Sequence, residues 1–235
     1  MIYAIIGPTG VGKTKLSIML AKKLNAEIIN CDSQQVYKEL SIGVAKIKNF
    51  EKENIVHHLI DNVSVLDNYS VYNYQNDARK ILNKLLNEGK NVVIVGGTGL
   101  YLKALLYDYT FNDNTNKNKK LYNFKLIGLT CDRSHLYDII NKRVDQMIDS
   151  GLEEEVRKLY DKEINSKVVN TAIGYKEFYS YFKGEITKEE AISLIKKRSR
   201  NYAKRQYTFF NNQFDSIEWF DVLKMSFEEI LSTIL

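Results

Sequence analysis

Residues Gly7-Pro8-Thr9-Gly10-Val11-Gly12-Lys13-Thr14 lie between an apolar run and an amphipathic one, and no other feature constrains the fold of this chain as strongly. Ile2 to Ile6 is apolar and compatible with a β-strand. Lys15 to Leu24 places Leu16, Met19, Leu20 and Leu24 at helical spacing. Two glycines, a lysine and a threonine at these intervals, with a strand before and a helix after, have the pattern and context of a phosphate loop. Each residue type has a reason. Glycines let the backbone turn sharply and aim N–H groups inward, and the helix N-terminus adds a favourable dipole. Lys13 brings a mobile positive charge, and the Thr14 hydroxyl can hold Mg²⁺. Thr9, Gly10, Val11, Gly12, Lys13 and Thr14 are therefore the candidate phosphate-binding residues, with Thr14 the candidate metal ligand. A diphosphate or a triphosphate such as ATP is expected here. A glycine-rich turn without a ligand is the alternative, and the motif alone does not specify which phosphate-containing molecule binds.

Further along, the pattern keeps alternating. A short strand is expected at Glu27 to Asn30, a helix at Tyr69 to Asn87, and a strand buried on both faces at Val92 to Val95, where β-branched residues run without interruption. Gly96, Gly97 and Gly99 punctuate the end of that strand. Asp32 to Lys46 has no clear pattern, and Asn112 to Asn123, rich in Asn and Lys, is expected to be a surface loop. Phe124 to Thr130 resumes as a strand, and the remainder reads as mostly helical: Leu136 to Met147, Leu152 to Tyr160, Lys188 to Phe210 and Phe227 to Ile234. The fold class is α/β, a P-loop NTPase-like parallel sheet flanked by helices with a helical C-terminal part. With 235 residues, 44% of them apolar, the chain can bury one good-sized core, and residues 1–235 are read as one domain. The net charge of +5 suits an anionic partner without requiring one. Cys31 and Cys131 are too few and too far apart for a metal site or a disulfide framework and are expected to be reduced core thiols. Ile2 to Ile6 lacks a basic leader, and no apolar stretch reaches the roughly 20 residues of a membrane span, so a cytoplasmic, non-membrane protein is expected.

Several segments, in order, resemble the tRNA dimethylallyltransferase (isopentenyltransferase) family. After the phosphate loop come Asp32-Ser33-Gln34-Gln35-Val36-Tyr37, Gly43-Val44-Ala45-Lys46, His57-His58-Leu59-Ile60-Asp61 and Tyr69-Ser70-Val71. Val95-Gly96-Gly97-Thr98-Gly99-Leu100-Tyr101, Arg143-Val144-Asp145-Gln146-Met147, Ala172-Ile173-Gly174-Tyr175-Lys176-Glu177 and Tyr202-Ala203-Lys204-Arg205-Gln206 follow. The resemblance implies transfer of a dimethylallyl group from dimethylallyl diphosphate to an adenine amine in the anticodon loop of tRNA, with Mg²⁺ as cofactor and a monomer as the working unit. It also implies roles. Asp32 faces the acceptor adenine, Thr98 supports it, Arg205 helps the loop hold the diphosphate, and Asp32, Ser33, Gln34, Gln35 and Thr98 meet the tRNA.

Each role has a plainer alternative. Asp32-Ser33 after a strand can simply cap the next helix. Thr98 can be a turn residue, although the carboxyl ends of parallel strands are where α/β proteins bind ligands. His57 and His58, adjacent on a strand, point to opposite faces, so a buried structural role for one is preferred to a metal pair. The basic run Lys196, Lys197, Arg198, Arg200, Lys204, Arg205, with Tyr202, Tyr207, Phe209 and Phe210 between, has the composition of an RNA-phosphate contact and also that of a solvated helix face. Arg198, Tyr202 and Arg205 are expected to share one face.

The chain also departs from the family. Full-length members carry a helical insertion that grips the anticodon stem and loop, and here the short stretch near residues 112–123 stands in its place. Val44 stands where threonine is usual and Thr171 where glutamine is common. The shortening keeps open a dimethylallyltransferase acting on free adenine nucleotides, and a nucleotide- or RNA-binding module without catalysis. Lys13, Thr14, Asp32 and Thr98 together argue for catalysis, since a pure binder has no need of all four.

Overall fold

The computed structural model describes residues 1–111 and 119–235. In chain order the elements are β1 (Ile2–Ile6), α1 (Lys13–Leu24), β2 (Glu27–Asn30), β3 (His57–His58), α2 (Val71–Asn87), β4 (Val92–Val95), α3 (Gly99–Leu106) and β5 (Phe124–Thr130). Then come α4 (Arg133–Asp149), α5 (Leu152–Asp161), α6 (Tyr175–Phe182), α7 (Lys188–Gln213), β6 (Glu218–Asp221) and α8 (Phe227–Ile234). The strands form a sheet in the order β3-β2-β4-β1-β5-β6, and every pairing is parallel.

Alternation along the strands divides the core. Ile2, Ala4, Ile6, Ile29, Val92, Ile94 and Leu126 face α2 and α3. Tyr3, Ile5, Ile28, Val93, Ile127 and Leu129 face α1, α4 and α8. A strand covered on both sides is apolar throughout, which is why β1 and β4 read as continuous runs in sequence. A third cluster joins Val36, Tyr37 and Leu40 to Val144, Leu152, Val156, Tyr175, Phe178 and Ile195. It packs α5, α6 and the first half of α7 against the segment that follows β2, so a helical layer covers part of the carboxyl edge of the sheet.

Four strand readings, β1, β2, β4 and β5, coincide with the structure. α1 starts two residues earlier than its pattern suggested, because Gly12 at φ 87° provides the left-handed turn into the helix. Three elements differ from the sequence reading. α3 follows Thr98 directly, α6 occupies Tyr175–Phe182, and the C-terminal half contains β6, an edge strand. Asp32 caps no helix: residues 33–36 form turns. The expected loop at 112–123 lies in part outside the described residues; at its end Lys120 bridges antiparallel to Tyr107. Cys31 is buried, whereas Cys131 is half-buried; both are free. His57 and His58 are both half-buried, since β3 is a two-residue edge strand with one neighbour. His58 Nε2 lies 2.7 Å from Glu27 Oε2, and His57 Nδ1 lies 2.8 Å from the Ile55 carbonyl. Both are structural contacts. Among the described residues no helix is long and apolar enough to cross a membrane.

Candidate active site

The strand order explains how distant residues meet. β2, β4 and β1 are neighbours and parallel, so the segments leaving their carboxyl ends emerge side by side. Those segments carry Asp32, the Gly96-Gly97-Thr98 turn and the phosphate loop. Such an edge is where open α/β sheets bind ligands.

The phosphate loop leads into α1 through Gly12, with no side chain capping the helix. The first N–H groups of a helix have no partner within it, so here they are available to an anion. A Cβ at Gly12 would collide with the Phe227 ring, so the close packing of α8 on the loop also requires glycine. Lys13 Nζ donates to the carbonyls of Gly7 at 3.0 Å and Pro8 at 2.7 Å. Burial, reinforced by the Arg143 charge and opposed by Asp32, lowers the Lys13 pKa to about 7. The loop is fastened from outside by Gln206 of α7. Its Oε1 accepts from the Thr9 N–H at 2.9 Å, and its Nε2 donates to the Gly97 carbonyl at 3.0 Å. A Cβ at Gly97 would strike that amide, so the glycine permits the close approach of α7.

Asp32 is held by its own turn. Its Oδ1 accepts from the Gln34 N–H at 2.9 Å, and buried Asn30 donates to the Asp32 carbonyl at 3.3 Å and the Leu59 carbonyl at 2.9 Å. Thr98 Oγ1 accepts from the Ser33 N–H at 2.9 Å and lies 3.2 Å from Ser33 Oγ. Thr98 is therefore the tie between the β4 turn and the Asp32 turn. It sits at the N-cap of α3 but its hydroxyl makes no cap bond there. The Tyr202 phenol lies beside Thr98 and Gln206, and burial together with nearby Asp32 pushes its pKa well above the usual phenol range.

Two cavities meet at Asp32. One, of about 480 Å³, contains Gly10, Gly12, Lys13 and Thr14 together with Asp32, Gln35, Arg143 and Gln206. The other, of about 280 Å³, contains Asp32, Ser33 and Gln34 at one side and Ile140, Val144, Met147, Leu152, Ile173 and Ile195 as an apolar wall. Thr9, Asp32, Val44, Arg143 and Tyr202 line both. The buried Gln34 Oε1 has no hydrogen-bond partner within the described residues. The loop opposite Asp32 is pinned by Glu155, which accepts from the Ile42 N–H at 2.9 Å, the Gly43 N–H at 3.2 Å and the Tyr175 hydroxyl at 2.5 Å.

The structure brings together Thr9 to Thr14, Asp32, Ser33, Gln34, Gln35 and Thr98. Arg205 is exposed and lines the apolar cavity together with Thr9 of the phosphate loop, and it is not among the residues lining the cavity that contains Lys13 and Thr14. Arg198, which lies one and two turns before Tyr202 and Arg205 on the same helix, pairs with the fully buried Glu177 carboxylate. Lys196 pairs with Asp145 at 2.6 Å, and Arg200 donates to Asn141 at 2.6 Å. Much of the basic run thus fastens α7 to α4 and α6, leaving Lys197, Lys204 and Arg205 exposed. Sequence reasoning gave no role to Gln206 or Arg143, and to Tyr202 only a place on the basic face of α7. All three lie within segments that resemble the family, which was the available signal for Gln206 and Arg143.

For a divalent cation, the fit rests on donor chemistry. Thr14 lines the loop cavity, and among the described residues its hydroxyl makes no hydrogen bond. Among the described residues no cluster of three or more His, Cys, Asp or Glu side chains could hold a metal. A hydroxyl, phosphate oxygens and water are the donor set that suits Mg²⁺, which keeps several waters and seldom takes an all-protein cage.

Residues 35–121 and 109–213 match the family model described as IPP transferase. The tRNA dimethylallyltransferase of Anoxybacillus flavithermus is 41% identical over 281 aligned positions, covering 94% of this chain and 90% of that relative. Two solved structures superpose with a TM-score of 0.92. One is the tRNA delta(2)-isopentenylpyrophosphate transferase of Staphylococcus epidermidis, 34% identical, covering 99% of this chain and 97% of that one. The other is the full-length tRNA isopentenylpyrophosphate transferase of Bacillus halodurans, 37% identical, covering 99% of this chain and 93% of that one.

Proposed function

The chain belongs to the IPP transferase family, and we propose that it transfers the dimethylallyl group of dimethylallyl diphosphate to the N6 amine of an adenine beside the anticodon of tRNA. The observation that carries this reading is the position of Asp32, on the wall shared by the phosphate-loop cavity and the apolar one. Donor and acceptor chemistry meet there.

The phosphate loop and the α1 N-terminus bind the diphosphate, with Thr14 as ligand to Mg²⁺. When bound, Mg²⁺ supplies positive charge to the diphosphate as it leaves. The apolar wall around Val144, Met147 and Ile173 receives the five-carbon chain and excludes water from it. An exocyclic adenine amine is a weak nucleophile, and Asp32 accepts its proton as the new bond forms, a contribution typically of about 10²–10⁴ in rate. Gln34 Oε1, buried without a donor among the described residues, offers a second acceptor to the amine or a neighbouring base. Thr98 acts through Ser33 by fixing the turn that carries Asp32. Extruding a loop base costs less than breaking a duplex pair, which suits an anticodon-loop acceptor.

The chain acts in this reading as a single domain in which the connection between α3 and β5 replaces the helical insertion of longer family members. An alignment of 281 positions against 235 residues opens gaps in this chain, in keeping with that shortening. RNA contacts then fall to surfaces such as the exposed Lys197, Lys204 and Arg205 of α7.

The test offers labelled dimethylallyl diphosphate and Mg²⁺ with unmodified tRNA, AMP, ADP and ATP in separate reactions. Label on tRNA alone is expected. Label on a nucleotide and not on tRNA would reassign the acceptor, and label on none would remove catalysis.

A further inference from the structure

We propose that Arg143 is a diphosphate ligand whose guanidinium takes up the negative charge released as the prenyl–oxygen bond breaks; the assignment rests on the transferase reading above. Arg143 lines both cavities, from the middle of α4. Buried Ile140 and Val144, on the adjoining turn and position of the same helix, anchor that stretch of α4 against the core. The guanidinium is thus presented from a rigid element, which favours precise placement of a binding group.

Its lack of a partner is the second observation. Among the described residues no hydrogen bond or ion pair holds the Arg143 side chain, although Asp32 is near enough to act on it electrostatically. On α7, by contrast, Arg198 donates to Glu177 and Arg200 to Asn141. A desolvated cation without a paired acceptor is costly, and a planar fork of donors is suited to bidentate contact with phosphate oxygens. The charges on the loop cavity point the same way. Lys13, Lys142 and Arg143 face it with Asp32 as the carboxylate, leaving an excess of positive charge for an anion.

In the transfer step the bond from C1 of the dimethylallyl group to the diphosphate oxygen breaks, and its electron pair stays with the diphosphate. The adenine N6 forms the new bond to C1, and its proton passes to Asp32. Arg143 and Lys13 stabilise the oxygen that gains charge, while Asp32 stays with the amine. Placing charged donors where negative charge develops is the most effective arrangement for such a step.

Arg143→Gln and Arg143→Lys test the assignment. Titration calorimetry with inorganic diphosphate and MgCl₂ should show diphosphate affinity weakened about tenfold or more in Arg143→Gln, with tRNA affinity in a filter-binding assay held within about twofold. At saturating donor, kcat should fall, and Arg143→Lys should recover part of both losses because it restores charge without the fork. Unchanged diphosphate affinity in Arg143→Gln, with a loss in kcat alone, would overturn the proposal and make Arg143 a partner of Asp32 only. Should Arg143→Gln lose its helical circular dichroism, Arg143→Lys carries the test, and wild-type diphosphate affinity there would overturn it. Diphosphate binding needs no acceptor, so a wild-type protein that binds diphosphate but prenylates no RNA would overturn the transferase reading separately.

Discussion

At the scale of single residues, the site depends on side chains that tie loops together as much as on those that do chemistry. Gln206 is the clearest case. It is buried and holds both Thr9 of the phosphate loop and Gly97 of the β4 turn. Gln206→Ala removes two hydrogen bonds and leaves a donor and an acceptor unpaired, which should lower unfolding stability by about 1–3 kcal/mol. Urea denaturation measures this loss, and the KM for the prenyl donor should rise in parallel; wild-type values for both would contradict the tie. Lys13, Thr14, Asp32 and Thr98 were legible in the sequence because each lies just beyond a recognisable strand. Gln206 was not, because it acts across 109 positions of sequence to reach Gly97. Arg205, its neighbour, shows the converse. A one-residue step along α7 exchanges a buried position for an exposed one, and composition cannot distinguish the two.

At the scale of elements, α7 is the part that closes the site. Its 26 residues span about 39 Å at 1.5 Å per residue, long enough to pass from the helical layer to the sheet edge. Thr187 caps it, accepting from the Glu190 N–H at 3.1 Å, while the Glu190 carboxylate accepts from the Thr187 N–H at 2.8 Å. Arg198 then binds α7 to α6 through Glu177, which also accepts from the Gly174 N–H at 2.7 Å. Arg198→Ala would leave the Glu177 carboxylate buried with that backbone donor alone, and about 2–3 kcal/mol of stability should be lost, less than a fully enclosed pair because Arg198 itself is partly exposed. Thermal or urea unfolding tests this, and a change within about 0.5 kcal/mol, the range of ordinary surface substitutions, would contradict it. The elements that escaped sequence reading did so for physical reasons. α3 is buried along nearly its whole length, so Gly99–Leu106 has no polar face to create a helical period. α6 has two turns crowded with aromatics, and β6 is a four-residue edge strand with charged ends. Short elements whose partners are distant in sequence take their form from packing.

At the scale of the whole molecule, the parallel sheet gathers the chemistry and the helical layer encloses it. The phosphate loop follows β1, Asp32 follows β2 and Thr98 follows β4, and the order β2-β4-β1 makes them adjacent. α4 to α7 supply the apolar wall, together with Arg143, Tyr202 and Gln206. Each part alone is ambiguous: a phosphate loop serves many phosphate-containing ligands, and an apolar pocket serves many more. Their meeting at one carboxylate is what suits transfer of an apolar group from a diphosphate to an amine. The measurement that tests this most directly is nucleoside analysis by mass spectrometry of unmodified tRNA treated with dimethylallyl diphosphate and Mg²⁺, with wild-type protein and Asp32→Ala in parallel. N6-dimethylallyl adenosine at one position beside the anticodon is expected with the wild type, at a rate about 10²–10⁴ greater than with Asp32→Ala, while both bind tRNA with similar affinity. Equal product from the two proteins, or a prenyl group on an atom other than N6, would contradict the account.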